Sequence, residues 1–197
     1  MRHLVLATRN AHKTGEFAAL LGPDFTVTDL TQRSDLPEIE ETGTTFEENA
    51  GLKALAISRL VSGLVAADDS GLEVEALGGA PGIYSARYAG PGASDADNVA
   101  RLLGDLAASG VKHNAEAQFR CVLAVAREGR LLRLFHGVVR GVITSQPAGA
   151  AGFGYDPIFK PDGSDRTFAE LGAAAKNAIS HRARAVTQLR SFLESAQ

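Results

Sequence analysis

Short apolar runs alternate with amphipathic segments along this chain, a pattern typical of a mixed α/β protein. The runs predict strands, and the last two of them form a hairpin around Gly129. The third run ends in Asp68-Asp69, after which Ser70 and Gly71 are predicted to turn the chain away. The predicted strands are residues 3–7, 25–30, 64–67, 115–126 and 131–139.

The amphipathic segments predict helices with recognisable start and stop signals. A helix that carries Phe17 ends at Gly22, and a Thr-Thr-Phe-Glu capping box at 44–47 opens a helix that stops at Gly63. A third helix follows a Ser-Asp-Ala-Asp cap and runs to about Ala108. The last covers 173–196, where Ser180 caps a fresh turn. Loops are predicted at 31–43, 78–82 and 149–156.

Composition excludes several classes of protein. The 197 residues fit one domain over 1–197, and 20 Lys+Arg against 23 Asp+Glu leave a net charge of −3, too acidic for nucleic acid or an anionic membrane surface. No stretch approaches the roughly 18 apolar residues of a membrane span, and the chain start lacks signal-peptide features. One cysteine, Cys121, excludes an internal disulfide and a zinc cage. We therefore predict a cytoplasmic protein.

The pair Asp68-Asp69 is the most informative chemistry in the sequence. Strands of an α/β sheet deliver their C-terminal residues to the ligand crevice, and paired carboxylates there suit Mg²⁺. Asp, Ser and Gly are also ordinary turn residues, so a solvated turn explains this segment equally well on its own.

The polar segment 8–13 joins the first strand to a helix, and helix N-termini bind phosphate readily. Lys13 in the first helical turn opposes the helix dipole, which indicates that an anion compensates it. The segment lacks the spacing of a Walker loop. Alternatively, Asn10 is a plain helix cap and Lys13 a solvated surface residue.

Further charged and aromatic residues are candidates for a site. Glu40 or Glu41 could add a carboxylate to a metal–triphosphate site, and Lys53 either snorkels to water or reaches into a cleft. Phe153 lies between glycines that allow close approach to a ligand, so its ring could stack on a base or plug the core. Lys176 and the cations at 181–182 lie around the start of the last helix.

These blocks, in this order, make the chain resemble the inosine/xanthosine triphosphate pyrophosphatase family over nearly its whole length. The blocks are LATRNAHK at 6–13, ETGTTFEENAGLKA at 41–54, ADDSGL at 67–72, LGGAPGIYSAR at 77–87, GFGYDP at 152–157 and SHR at 180–182. One position departs from the family pattern: Arg9 stands where the family usually has glycine. Its side chain must therefore point outward, or the loop must take a different geometry.

The resemblance implies a fold and a reaction. The fold is an elongated, two-lobed α/β architecture with a long mixed central sheet flanked by helices, an active site in the interlobe cleft, and a homodimer as the usual assembly. The reaction is Mg²⁺-dependent hydrolysis of non-standard purine nucleoside triphosphates (ITP, dITP, XTP) to the monophosphate and pyrophosphate, which keeps them out of DNA and RNA.

The resemblance also implies residue roles. Asp69 would act on the attacking water, with Asp68 and Lys53 completing the catalytic set, and Glu41 and Asp69 would bind Mg²⁺. Phe153 would stack on the purine. The implied substrate-binding residues are Thr8, Arg9, Asn10, Ala11, His12, Lys13, Ser70, Phe153, Gly154, Tyr155, Asp156, Lys176, His181 and Arg182.

Two alternatives remain at this point. One is a pyrophosphatase for modified pyrimidine triphosphates, and the other is a non-catalytic nucleotide-binding protein. The sequence does not rank ITP, dITP and XTP, decide whether Mn²⁺ replaces Mg²⁺, define the dimer geometry, or choose between Glu40 and Glu41.

Overall fold

The computed structural model describes residues 2–111 and 114–195, in which strands and helices alternate as the sequence pattern predicts. The helices are α1 (Ala11–Leu21), α2 (Phe46–Ser58), α3 (Asp95–Ala108), α4 (Phe168–Ile179) and α5 (His181–Ser195). The strands are β1 (Arg2–Leu6), β2 (Phe25–Thr28), β3 (Leu64–Val74), β4 (Ala115–Arg127), β5 (Arg130–Ile143) and β6 (Phe159–Pro161). Short 3₁₀ turns cover Glu75–Leu77 and Gly82–Arg87.

The strands form one six-stranded sheet in the order β2-β1-β3-β4-β5-β6. Strand β1 pairs in parallel with both β2 and β3, whereas β5 pairs antiparallel with β6. The sheet is therefore mixed, and the predicted α/β class with a mixed central sheet and flanking helices is confirmed.

The chain divides into two compact units, and β3, β4 and β5 contribute residues to both. Unit 1 comprises the chain up to Asp69, Cys121–Gly137, and the chain from Arg182 onward; unit 2 comprises Ser70–Arg120 and Val138–His181. The prediction of a single domain over 1–197 stays a prediction.

Each unit has its own apolar core. In unit 1, Phe17 and Leu21 of α1 and Leu189 of α5 pack with side chains of β1, β3, β4 and β5. In unit 2, Phe119 lies at the centre of an aromatic group, with ring centroids 4.7 Å from Phe159 and 6.0 Å from Phe168. Removal of these apolar side chains from water is the main driving force for the formation of both cores.

Strand β3 corrects the predicted turn at Ser70 and Gly71. The strand continues through both residues to Val74, and Leu72 and Val74 are fully buried. Turn propensity is overridden here because alternate residues of an extended chain pack into the core. The Asp-Asp pair thus lies inside a strand, which excludes the solvated-turn interpretation.

Several boundaries differ from the prediction; for example, β2 ends at Thr28 and not at residue 30, and β5 continues past residue 139 to Ile143. Helix α2 ends at Ser58, not Gly63, because short-range bonds such as Leu60 N–H to the Ile57 carbonyl tighten its last turn. Helix α4 includes an unpredicted first turn from Phe168, capped by Thr167 and Glu170, but its backbone breaks at Gly172 (φ 77°, ψ 168°), so the segment after the break begins at the predicted residue 173. Strand β6 was not predicted, since three residues carry too little periodicity.

The cap of α2 lies one residue after the predicted Thr44–Glu47 box, since Glu48, not Glu47, accepts the Thr44 N–H at 2.6 Å. Thr45 caps α2 by accepting the Glu48 N–H at 3.1 Å, and the predicted Ser94 cap forms a capping box at the start of α3. The break between α4 and α5 falls at the predicted residue Ser180, whose backbone is extended. Of the predicted last helix, residue 196 lies outside the described residues. No helix within residues 2–111 and 114–195 is both long and apolar enough to span a membrane.

Candidate active site

Adjacent residues of a strand point to opposite faces, so Asp68 and Asp69 of β3 occupy different surroundings. Both are almost completely buried. A buried carboxylate is costly unless a cation or hydrogen bonds compensate it. The partners of the two side chains therefore indicate what each can do.

Asp68 is surrounded by donors from three other elements of unit 1, a group that we call the Asp68 cluster (Lys13, Asp68, Cys121 and Arg182). Its Oδ1 accepts from Lys13 Nζ, and its Oδ2 accepts from Arg182 Nε at 3.0 Å and from Cys121 Sγ at 3.1 Å. Burial alone would raise the pKa of Asp68, but Arg182 and Lys13 hold that pKa well below its usual range. Asp68 is therefore a permanent anion that orders two cations.

The two cations of the Asp68 cluster come from helix N-termini. Lys13 lies in the first turns of α1, and the anion that the sequence indicated for it is Asp68, so Lys13 is not a solvated surface residue. Arg182 lies at the start of α5 and also donates to Glu16 Oε2 at 2.5 Å. Burial opposes the charge on Arg182, yet Asp68 and Glu16 outweigh it and raise the pKa of the guanidinium.

Asp69 belongs to a second group in unit 1, the Asp69 cluster (Glu41, Lys53 and Asp69). Lys53 Nζ lies 2.6 Å from Glu41 Oε1 and 3.5 Å from Asp69 Oδ1, and it also donates to the Asp68 carbonyl at 2.9 Å. Lys53 thus reaches inward instead of snorkelling to water. Glu41 faces this lysine while Glu40 is exposed, so of the two only Glu41 belongs to this cluster.

The electrostatics of Asp69 differ from those of its neighbour. Burial raises the pKa of Asp69 to about 6; Lys53 lowers it and Glu41 raises it further. Its Oδ2 is buried and has no hydrogen-bond partner among the described residues. Burial disfavours the charged form of Lys53, but Asp69 and Glu41 reverse that effect and raise the pKa of Lys53. Asp69 Oδ2 is thus a buried acceptor that no donor among the described residues satisfies.

The Asp69 cluster can hold a divalent cation only with help from other ligands. Within residues 2–111 and 114–195, no group of three or more His, Cys, Asp or Glu side chains is arranged to hold a metal ion. Glu41 and Asp69 supply two carboxylates, and Mg²⁺ takes one or two carboxylates together with waters and substrate phosphates. The buried, unpaired Oδ2 of Asp69 therefore fits a site that a substrate completes.

The segment before α1 provides the predicted helix N-terminus. Asn10 Oδ1 accepts from the His12 N–H at 2.9 Å and from the Lys13 N–H at 3.2 Å, so Asn10 is the helix cap. Thr8 Oγ1 accepts from the Asn10 N–H at 3.1 Å. Ala11 begins α1, and it is exposed like His12. The Arg9 guanidinium donates to the carbonyls of residues 30, 33 and 36.

Unit 2 contains the glycine-rich loop at 152–156. Lys176 Nζ lies 2.6 Å from Asp156 Oδ2 and 4.6 Å from the centroid of the Phe153 ring, a cation–π distance. Asp156 Oδ2 also accepts the Phe153 N–H at 3.0 Å, which holds the loop over the lysine. Phe153 is half-buried, so part of its ring remains accessible.

The two aromatic residues of this loop have different environments. Tyr155 is buried in the unit 2 core and donates its hydroxyl to the Ser85 carbonyl at 2.9 Å, so it plugs the core. Gly154 donates its N–H to Asp95 Oδ2 at 2.6 Å. His181 is buried and stacks on Phe119 at a centroid distance of 4.8 Å, and Ser70 is half-buried in β3.

Sequence reasoning missed Glu16, Cys121 and Asp95. Glu16 lies one helical turn after Lys13, so helical spacing could have placed it on the same face. Cys121 contacts Asp68 across 53 sequence positions, and no local pattern signals such a contact. Asp95 was assigned only to a helix cap, and nothing in its sequence spacing points to Gly154.

Comparison with known proteins identifies similar chains over the full length. Residues 4–192 match the sequence profile of the Ham1 family. A dITP/XTP pyrophosphatase from Bacillus licheniformis is 48% identical over 100% of both chains, and one from Bacillus subtilis is 46% identical over 99% of this chain and 98% of its own. The Ham1 protein structures from Staphylococcus aureus (TM-score 0.86) and Coxiella burnetii (TM-score 0.88) are each 42% identical and match 100% of both chains.

Proposed function

The chain belongs to the Ham1 family, and we propose that it hydrolyses non-standard purine nucleoside triphosphates such as dITP and XTP to the monophosphate and pyrophosphate. Its membership confirms the family that the sequence blocks predict. The single observation that carries the catalytic assignment is the buried, unpaired Oδ2 of Asp69 beside Lys53 and Glu41. A protein that only binds nucleotides has no need of such a group.

The reaction needs positioning and charge neutralisation more than covalent help. A water oxygen forms a bond to the α phosphorus, the bond from that phosphorus to the α–β bridging oxygen breaks, and pyrophosphate leaves. Asp69 is suited to orient the water and accept its proton, because a base with a pKa of about 6 is largely ionised at pH 7. Lys53 balances the charge of Asp69 and Glu41.

We propose Mg²⁺ as the cofactor, held by Glu41 and Asp69 together with substrate phosphates. When bound, such an ion lowers the pKa of coordinated water and neutralises phosphate charge. Lys53 balances the charge of Glu41 and Asp69, the same two carboxylates that would bind the ion. Mn²⁺ shares the same preference for oxygen ligands and serves as a second ion in the test.

The phosphates are assigned to the start of α1. The helix N-terminus, with Thr8, Asn10 and the peptide groups from Arg9 to Lys13, offers N–H donors and a positive dipole end. Asp68 keeps Lys13 and Arg182 in place, so its catalytic contribution is the positioning of cations, not attack or metal binding. Ser70 remains a proposed phosphate contact.

The purine is assigned to the loop of unit 2. The half-buried Phe153 ring supports stacking on a base, and Gly154, Tyr155 and Asp156 shape the loop. Lys176, His181 and Arg182 are the proposed base and sugar contacts. Hypoxanthine and xanthine carry a carbonyl acceptor at purine position 6 where adenine carries an amino group. Donors built for that carbonyl can reject adenine by roughly 10⁴-fold.

We also propose that the protein acts in the cytoplasm as a homodimer. The nucleotide substrates support the first assignment, and the family resemblance supports the second. Light scattering should give a mass near twice the 20.6 kDa of one chain. A monomer mass at micromolar concentration would contradict the dimer without affecting the proposed reaction.

The test of the proposed function is pyrophosphate release from ITP, dITP, XTP, ATP, GTP and a modified pyrimidine triphosphate at equal concentration. Each is assayed with Mg²⁺, with Mn²⁺ and with EDTA. We expect fast, metal-dependent release from the first three and little from the others. Guanine shares the carbonyl at position 6, so rejection of GTP requires a further contact besides the donors to that carbonyl. Preference for the pyrimidine would favour a modified-pyrimidine pyrophosphatase, and binding without release would indicate a nucleotide-binding protein.

A further inference from the structure

Arg9 makes contacts that a residue dedicated to phosphate binding would not make. Its Nη1 donates to the Leu30 carbonyl at 2.5 Å, and its Nη2 donates to the carbonyls of Leu36 at 2.8 Å and Arg33 at 3.2 Å. A planar guanidinium with several fixed donors can join carbonyls in this way, whereas a single ammonium group cannot match the geometry. The side chain of Arg9 therefore holds the segment at 30–36.

That segment is tied to the phosphate loop by backbone as well as by side chain. The Leu30 N–H donates to the Thr8 carbonyl at 2.9 Å, directly before Arg9. Leu36, whose carbonyl is the last of the three that Arg9 binds along the chain, has a buried side chain, and beyond it the chain leaves the protein interior. The beginning of the connection between β2 and α2 is thus anchored on the residues that precede α1.

The other end of the same connection is anchored on α2. The Gly43 N–H donates to Asn49 Oδ1 at 2.8 Å, and Asn49 is fully buried. A Cβ on Gly43 would lie 2.6 Å from Glu48 Cβ, so only glycine allows this approach. Between the two anchors, residues 37–42 form neither helix nor strand, and Glu41 within them reaches Lys53 at 2.6 Å.

We propose that Arg9 is a positioning residue, which anchors the start of residues 37–42 so that the Glu41 carboxylate is held beside Lys53 and Asp69. This inference rests on the proposed function, because Glu41 is assigned there to the metal site. It differs from the role implied by the family resemblance, in which Arg9 contacts substrate. It also explains how the chain accommodates arginine where the family usually has glycine: the side chain turns away from the helix N-terminus toward the 30–36 carbonyls.

The experiment compares Arg9→Gly and Arg9→Lys with the wild-type chain and with Asp35→Ala. Asp35 lies in the same segment, where it forms a surface ion pair with Arg33 at 2.8 Å, so its substitution controls for the loss of a charged side chain that does not bind the carbonyls of this segment. Three quantities are measured: the Mg²⁺ concentration for half-maximal pyrophosphate release from dITP, the nucleotide KM, and the rate of trypsin cleavage after Arg33 without nucleotide or metal.

We expect Arg9→Gly to raise the half-maximal Mg²⁺ concentration by about 10- to 100-fold, as loss of a group that orients a metal ligand does. Cleavage after Arg33 should become several-fold faster because the segment loses its anchor. Arg9→Lys should behave like Arg9→Gly, since the donors of an ammonium all lie on one nitrogen, whereas Arg9 reaches these carbonyls from two. Asp35→Ala should change neither the metal requirement nor the KM.

Other outcomes overturn the inference. A higher nucleotide KM with an unchanged Mg²⁺ requirement and unchanged cleavage would mean that Arg9 binds phosphate directly. A lower melting temperature in thermal unfolding, with all three measured quantities unchanged, would mean a purely structural role. Absence of turnover in the wild-type chain would count against the proposed function, whereas the trypsin comparison would still test the anchor.

Discussion

Two neighbouring carboxylates with opposite electrostatics define the chemistry at the residue scale. Asp68 is paired with Arg182 and Lys13 and stays ionised, whereas burial raises the pKa of Asp69 to about 6. Titratable groups whose surroundings separate their pKa values are typical of catalytic sites. The residue pattern alone predicts only the pair, and the family resemblance assigns Asp69 as the base; the partners that separate the two pKa values lie far away in the chain.

Asp69→Asn should stabilise the metal-free protein. The folded pKa of about 6 exceeds the ordinary 3.8, so the folded state binds the proton more tightly, and stability falls as pH rises from about 4 to about 6. Asparagine resembles the neutral carboxyl and avoids this loss. In EDTA at pH 8 the variant should therefore gain on the order of 2 kcal/mol in free energy of unfolding.

Urea denaturation at pH 8 and pH 4.5 measures this effect. The gain should be largest at pH 8 and small at pH 4.5, where Asp69 of the folded wild-type protein is mostly protonated. Equal free energies of unfolding for wild type and Asp69→Asn at pH 8 would contradict this prediction, because they would show that ionised Asp69 does not destabilise the folded protein.

Asp68→Asn should have the opposite effect. It leaves Lys13 and Arg182 without their shared anion, and breaking a buried ion pair costs about 3–5 kcal/mol. Because the folded pKa of Asp68 is depressed, its contribution is present above the unfolded value near 3.9 and is lost as pH falls below it. The same denaturation series at pH 7 measures the loss, and an unchanged unfolding midpoint would contradict the Asp68 cluster.

At the scale of elements, the sequence predicts helix caps, tight hairpins and helix breaks. The cap of α3, the hairpin of β4 and β5 and the break at Ser180 agree with the sequence, and the cap of α2 lies one residue from its predicted place, since each depends on residues a few positions apart. Strand β3 does not, because its continuation through Ser70 and Gly71 depends on packing of Leu72 and Val74 in the core of unit 2. Turn residues alone do not reveal that packing.

The glycine-rich loop offers a prediction at the same scale. Gly152 and Gly154 both have positive φ, at 80° and 62°, but only Gly152 is crowded: a Cβ there would lie 2.0 Å from Asp156 Oδ2. Gly152→Ala should therefore displace Asp156 from Lys176 and destabilise the protein by several kcal/mol. Gly154→Ala, with nothing within 4 Å, should cost only about 1–2 kcal/mol of backbone strain.

Thermal unfolding of the two glycine variants checks this difference. Because both substitutions carry the same left-handed backbone penalty, the excess loss in Gly152→Ala reports the crowding of the Asp156 carboxylate. Equal losses would mean that the loop yields at Gly152 without disturbing Asp156.

For the whole molecule, the site residues are distributed over almost the full chain, from Thr8 to Arg182. Arg182 meets Asp68 across 114 sequence positions, a contact that periodicity and spacing do not predict. The family resemblance predicted which residues belong to the site, and the structure shows which side chains they contact. A net charge of −3 coexists with buried cations because each of them is paired with a carboxylate of the same unit.

The central claim is that the unpaired oxygen of Asp69 acts on the water that attacks the triphosphate. The most direct measurement is pyrophosphate release from dITP by wild-type protein, Asp69→Asn and the surface control Asp35→Asn, with calorimetric binding of dITP to each. Asp69→Asn should lose about 10³-fold or more in kcat while binding stays within a few-fold, and the control should match wild type. Near-normal turnover by Asp69→Asn would contradict the account.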